Sequence, residues 1–425
     1  MAIRMKIKID RFDKNWNHLE HREQWSRSFT KGLLDLLYTA HSQATVAVPY
    51  VATDIDLCSR SIDIDQPSGN ADYSRGGGSP LQIGAPGGDA GVNVWPSNIG
   101  QYGNGVQCVI PGHCLGIVVG AGNTAATPTD RRLAQMIGHG VRPPDAGDVI
   151  FDSYAAGEDA GTVMDNINDW CAQGFIPKTT HRIYSVRVKI SKAGAPGNLT
   201  VGIKGSDFVQ GSGGDTSFNW SNPTTALCPD IVSGTIVEAD IPGAAALTSC
   251  VFATPIDVIA GRRYFITLRA LGASAGNSVT WRFDTGGATF EHNPSWTSAN
   301  TGLTFKSIST NGGATYGIVE GSCYMFEDIG RSVGELQYGG CNVENLVIAN
   351  PNASFDIKRF FTNHTGGNIT VQEAGIMAAA KRGGTVAAKY NTAASPFLIA
   401  RDVFAGVVIA DTEILLVTYT PTITV

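Results

Sequence analysis

Five residues of the kinds that recognise sugars fall close together in one stretch: Trp281, Arg282, Asp284, His292 and Trp296. Aromatic rings stack on the C–H faces of a sugar, while Arg and Asp supply hydrogen bonds to its hydroxyls. The run VTWRFD alternates as a strand does, which sends Trp281 and Arg282 to opposite faces. Trp281 is therefore expected in a core, and Trp296, in the loop NPSWTS, is the better exposed candidate. A glycan contact is expected from Trp296, His292, Arg282 and Asp284.

Other chemistries find less support. Glycoside hydrolysis needs two carboxylates about 5–10 Å apart in a cleft. Asp284 and Glu291 are the nominees, and nothing in their context singles them out. The histidines His18, His21, His41, His113, His139, His181, His292 and His364 are scattered, with no HExxH and no D-x-H pair. The chain is expected not to be an enzyme. Asp54, Asp56, Asp63 and Asp65 alternate in TDIDLCSRSIDID, which reads as a solvated strand face in preference to a calcium site. Cys108 and Cys114 flank His113 at a spacing that suits neither a zinc knuckle nor a CxxC redox pair. The eight cysteines read mostly as buried thiols, with pairing in an oxidising medium left open. The run Arg75-Gly76-Gly77-Gly78 lacks the GxxxxGK[ST] pattern of a phosphate loop. No metal and no cofactor is expected.

The elements that must hold such residues are strands. With 51 glycines, 19 prolines and only 16% charged residues in 425, the chain is rich in turns and still apolar enough for packed cores. A net charge of −6 and the lack of a basic run interleaved with aromatics exclude nucleic acid as the expected partner. No apolar run is long enough to span a bilayer as a helix, and MAIRMKIKID has no signal-peptide core. Ile3, Met5, Ile7 and Ile9 alternate with charged residues, a half-buried strand, and His18 to Trp25 returns after a turn. A helix capped by Ser26 or Ser28 is expected to about Ser42, with Phe29, Leu33, Leu36, Leu37 and Ala40 on its apolar stripe and Lys31 and Asp35 opposite. Residues Val46 to Gly105 read as a loop region or arm, with short strands at Ser61–Asp65 and Asn93–Trp95. A strand and turn follow from Cys108 to Gly120, then a short helix over Thr129–Ile137.

Composition makes linkers of Gly138–Gly147 and Gly330–Gly334. Between them strands are expected at Ile183–Ile190, Leu199–Lys204, Gly234–Ile241, Arg263–Arg269, Val279–Phe283 and Cys323–Ile329. After them come the alternating Phe355, Ile357, Arg359 and Phe361, then Asn368–Ile376, Pro396–Val403, Ile414–Tyr419 and Thr422–Val425.

RFFTNHTGGNITVQEAGIMA, followed by FLIARDVFAGVVIADTEILLVTYTPTITV, resembles the C-terminal β module of tailed-bacteriophage virion structural proteins. GIVVGAGNTAATPTDRRLAQMIGHG resembles the segment that usually stands just ahead of that module. KIKIDRFDKNWNHLEHREQWSRSFTKGLLDLLY resembles the N-terminal hairpin and helix of the same proteins. Residues Arg182–Asp328 resemble the jelly roll of phage fibre-like surface proteins, through Gly197–Ile203, Tyr264–Ala270 and Val279–Asp284.

The resemblance implies an immunoglobulin-like module interrupted by an inserted jelly roll. In residues, it implies an N-terminal hairpin and helix (1–48), a loop-rich arm (49–107), and the first part of the module (108–147). The insert (148–330) and the second part of the module (331–425) follow. The class is mainly all-β. The implied function is structural, in a tail, collar or baseplate fibre component of a virion. A capsid decoration protein, or a carbohydrate-binding adhesin without a structural role, is the alternative. The implied partners are copies of itself, other virion proteins and a host-surface glycan.

Overall fold

The alternation of Met5, Ile7 and Ile9 builds β1 (Ala2–Phe12), with all three side chains buried. A turn at Asp13–Asn17, whose Asp13 Oδ1 accepts from the Asn15 and Asn17 amides, leads into β2 (His18–Trp25). We describe the fold from a computed structural model that covers residues 2–26, 29–35, 50–57, 59–62, 115–144, 150–154, 160–167, 169–175, 177, 180–205, 229–259, 264–283, 304–307, 323–326, 333–381 and 394–424. The short strands β3 (Tyr50–Thr53), β4 (Ser59–Ile62), β5 (Gly116–Gly120) and β6 (Gly138–His139) come next. A middle group follows: β7 (Ile150–Tyr154), β8 (Ala160–Met164), β9 (Asp169–Phe175), β10 (His181–Ala193), β11 (Leu199–Gly205) and β12 (Asp230–Ile236). It continues with β13 (Ala246–Val258), β14 (Tyr264–Ala270), β15 (Ser278–Phe283), β16 (Thr304–Ser307) and β17 (Cys323–Phe326). The last group is β18 (Glu335–Ala349), β19 (Asn352–Thr362), β20 (Ile369–Lys381), β21 (Ala394–Ile409) and β22 (Ile414–Thr424).

The protein is mainly β, as its turn-rich composition implies. Among the described residues, strands β7 to β17 pair only with one another, in two sheets ordered β7-β17-β10-β15-β8, with β13 also on β10, and β12-β11-β14-β9-β16. These close over a core that includes Val186, Val188, Ile190, Val201, Ile203, Ile266, Leu268 and Trp281. The first and last groups pair across the sequence gap, in a six-stranded sheet β2-β1-β22-β19-β18-β6 and a three-stranded sheet β21-β20-β5. Their shared core holds Ile7, Ile9, Ile117, Val119, Ile357, Phe361, Val371, Leu415 and Val417. Both units are β-sandwiches.

Several expectations need correction. Helical backbone spans 31–35 and starts later than Ser26 or Ser28 would set it. Phe29 bridges to Ala400, and the Thr30 amide donates to Ile399 O at 3.1 Å, so this stretch is held to β21 instead of capping a helix. Gly32 lies against Leu398 O, where a Cβ would clash, so the turn docks tightly. Asp35, expected on the solvated face, is instead buried against Lys31 and Arg131, while Lys31 is exposed as expected. Residues 36–42 lie outside the described residues.

Thr129–Ile137 is not a helix. Its amides go elsewhere: Ala134 and Gln135 donate to the Glu373 carboxylate, and Ile137 donates to Val119 O. The proposed linker is partly strand, since β6 pairs in parallel with Glu335 and Leu336 of β18. Asp54 and Asp56 sit in a buried turn between β3 and β4, not on a solvated strand face. Gly234–Ile241 divides into β12 and a 3-10 turn at Glu238–Asp240. The last two expected strands are one, β22, continuous through Pro421. The β19 ladder skips from Ser354↔Thr422 to Ile357↔Tyr419, so the missing Pro421 N–H breaks no ladder pair there. The expected strand Asn93–Trp95 and the pair Cys108 and Cys114 lie outside the described residues. Cys171, Cys250 and Cys341 are buried, and burial pushes the Cys250 thiol up to about 11.

Two buried polar nodes tie the parts together. In the first, Glu373 Oε1 accepts from the Gly122 amide (3.1 Å) and the Gln135 amide (2.7 Å). Its Oε2 accepts from the Ala134 amide (3.1 Å) and Arg401 Nε (2.8 Å). Arg401 continues to Asp130 at 2.6 Å and to Thr124 O at 2.9 Å. In the second node, Arg182 holds Asp257 through two 2.9 Å bonds, and Asp257 Oδ2 also accepts from the Met136 amide at 2.8 Å. Arg132 donates to Ile55 O and to Asp56, whose Oδ1 also accepts from the Tyr264 hydroxyl at 3.1 Å. The second node therefore joins the two sandwiches directly.

Removing one partner of a buried pair strands the other charge. Arg401→Met is expected to destabilise the protein by about 3–5 kcal/mol, read as a lower denaturant midpoint. Burial works to raise the Asp130 carboxyl, but the Thr127 amide and hydroxyl and Arg401 outweigh it and hold it below its ordinary value of 3.8. A carboxyl depressed in the folded state stabilises fully above its unfolded value, and that stabilisation is lost as pH falls through the folded one. Asp130→Asn should therefore flatten the acid limb of the stability profile, and an unchanged limb would exclude this assignment.

Candidate functional site

The site begins with the composition of β18, ELQYGGCNVENLVIA. Its first half is held in place. Leu336 is buried, the Tyr338 amide donates to His139 Nδ1 at 2.9 Å, and the Tyr338 hydroxyl donates to Ile137 O. The Tyr338 ring meets Phe361 edge-on at 4.6 Å. On the Arg359 side, the guanidinium lies 5.5 Å from the same ring and donates to Ile117 O at 2.6 Å.

Beyond Cys341 the environment changes. Residues 342–349 are all exposed, so both faces of the strand meet water. They include Val343 (42%), Leu346 (70%), Val347 (52%) and Ile348 (79%). β19 pairs along one side of β18, while β6 reaches only Glu335 and Leu336 on the other. Among the described residues, the backbone edge past Leu336 is thus open.

A β-bulge between Glu344 and Val347 places one extra residue on β18. Asn345 takes the left-handed conformation there, at φ 57°, and its side-chain amide donates to Asp356 Oδ2 at 2.9 Å. Lys358 lies 3.3 Å from Glu344 and 3.5 Å from Asp356. Burial works to raise the Asp356 carboxyl, but Thr420, Asn345 and Lys358 outweigh it and hold it low. The result is an apolar strip with a charged and hydrogen-bonded rim on an unpaired strand edge. Contiguous exposed apolar residues with a polar rim mark interaction surfaces, and an open edge offers main-chain groups to an incoming strand.

The residues expected to bind sugar are only partly placed. Arg282 lies half-buried on β15, while Trp281 is wholly buried in the core between the middle sheets, on the opposite face. His292, Trp296, Asp284 and Glu291 lie outside the described residues. Asp54 and Asp56 join the polar node between the sandwiches, and Asp63 and Asp65 lie outside the described residues.

Comparison with known protein families and with curated proteins finds no match.

The apolar strip escaped the sequence reading because it follows neither template. Leu346, Val347 and Ile348 are consecutive, which breaks strand alternation, and Asn350-Pro351-Asn352 turns the chain immediately afterwards. A run of apolar residues beside a turn signal, too short for a helix, was the available clue. Because these side chains touch little, Leu346→Lys and Ile348→Lys are each expected to change stability by no more than about 0.5 kcal/mol. A clear drop in the melting temperature of either variant would mean that the strip is packed within the chain.

Proposed function

We propose that the chain is a structural protein of a tailed-phage virion that acts by assembly. In this reading the sandwich of β1–β6 and β18–β22 is an immunoglobulin-like module that fixes the chain in the particle. The sandwich of β7–β17 is an inserted jelly roll that projects from it. The observation that carries the assembly role is the open apolar edge of β18 at Val343–Ile348. Strand addition to such an edge uses main-chain hydrogen bonds for affinity and the exposed side chains for register. The partner is a second copy or another virion protein, and repetition over a symmetric particle multiplies a modest contact.

The division into module and insert is supported by the pairing of the strands, none of which crosses between the two groups. It is also supported by the meeting of the two edges of the gap. The Gly140 amide donates to Leu336 O, the Glu335 amide donates to Arg142 O, and Arg142 pairs with Glu335 at 3.1 Å. A segment whose ends emerge side by side can be added to a scaffold without disturbing it.

Sedimentation of the full chain tests the assembly role. The wild-type chain should form a defined oligomer or filament, and the double variant Leu346→Lys/Ile348→Lys should sediment as a smaller species of unchanged fold. A wild-type monomer at every concentration, or a variant that assembles normally, would sink the role of this edge. Antibody against the chain should also label purified particles of the encoding phage, and unlabelled particles would remove the virion reading.

A further inference from the structure

The turn between β1 and β2 carries a second chemistry, independent of the assembly edge. Asp10 on β1 faces His21 directly across the hairpin. Asp10 Oδ1 lies 2.6 Å from His21 Nδ1 and 3.1 Å from His18 Nε2. Donor atoms of all three residues lie within 4.8 Å of one another.

His18 and His21 are three residues apart, and a regular strand would send them to opposite faces. The pairing explains why it does not. Arg11 faces Glu20, but Phe12 faces His18, so Leu19 is an extra residue in a bulge. The bulge turns His18 onto the face of Asp10 and His21, the re-aiming that such irregularities produce. The His18 ring is propped edge-on by Phe12 at 5.3 Å. Phe12 meets Trp16 at 5.9 Å, and Trp16 meets Phe360 of β19 at 5.4 Å. The group is therefore buttressed on a paired strand and still open to solvent, with His18 and His21 about half exposed. Beside it, Lys8 is engaged by Glu23 at 3.9 Å, which lessens its repulsion of a cation.

We propose that Asp10, His18 and His21 form a surface site for a divalent transition metal, with zinc the ion that the donor set fits. Two imidazole nitrogens and one carboxylate oxygen, with a position left to water, is a common zinc arrangement. A tetrahedral ion bound at 2.0–2.1 Å spaces its donors about 3.3 Å apart. His18 and Asp10 nearly meet that spacing, and His21 and Asp10 must part by about 0.7 Å from their 2.6 Å contact. Both imidazoles must be neutral to bind, and their hydrogen bonds to Asp10 give way to bonds to the ion.

Isothermal titration calorimetry of the EDTA-treated full chain with zinc chloride tests this. One equivalent should bind, and His18→Ala, His21→Ala and Asp10→Asn should each weaken binding at least tenfold. His364→Ala, which alters an exposed histidine elsewhere, should leave it unchanged. Deleting Leu19 removes the bulge but keeps all three donors, and it should weaken binding to a similar degree. Melting temperatures measured in EDTA establish that each variant is folded. No zinc uptake by the wild type, or uptake that survives His18→Ala and His21→Ala, would overturn the site. Full binding after deletion of Leu19 would overturn the geometry argued for it.

Discussion

One carboxylate organises the scaffold. Glu373 has no exposed surface, and a buried charge is tolerated only when it is paired and hydrogen-bonded. Three backbone amides and the Arg401 guanidinium meet that demand, and to do so the segment 121–136 must wrap around it. The wrap fixes further contacts. It presents Arg132, Ala134 O and the Met136 amide to Asp257, Arg182 and Asp56, which join the two sandwiches. It then delivers Ile137 and His139 to Tyr338 at the base of β18. The orientation of the middle sandwich and the anchoring of the open edge both follow from satisfying Glu373.

β18 illustrates how one strand can serve two environments. Near Leu336 it lies between β6 and β19, and its side chains are locked into the module core. Twelve residues on, at Ile348, it projects with both faces in water. The bulge at Asn345 falls within the exposed run, where added twist helps keep an open edge from pairing indiscriminately.

Much of the strand content was legible in the sequence because alternation reports burial directly. Met5, Ile7 and Ile9, then Ile357 and Phe361, alternate in the sequence and are buried. Trp281 was legible as core for the same reason. Failures came where tertiary contacts took over the backbone. Thr129–Ile137 has helix-compatible residues, but its amides are claimed by Glu373 and Val119, residues distant in sequence. Asp35, Asp54 and Asp56 were assigned to water by type, yet each is buried with its charge engaged. Strands β7, β8, β9 and β13 carry weak alternation and went unseen. The histidines looked scattered because a bulge is invisible to a period-two reading.

The pairing of β1 with β22 runs without interruption from Ala2↔Thr424 to Phe12↔Ile414. That ladder sets an order for folding during synthesis. β1 has no β22 partner until residue 414 has left the ribosome, whereas the described partners of β7–β17 are all available by residue 326. Closing a flexible loop of that length costs about 5 kcal/mol in chain entropy, and prior folding of the middle sandwich shortens the loop that must be closed. Until then β1 is paired along one edge only, by β2. Its early neighbour β2, and the charged residues Arg4, Lys6, Lys8 and Asp10 that alternate along it, are what keep the nascent chain from pairing with the wrong strand in the meantime.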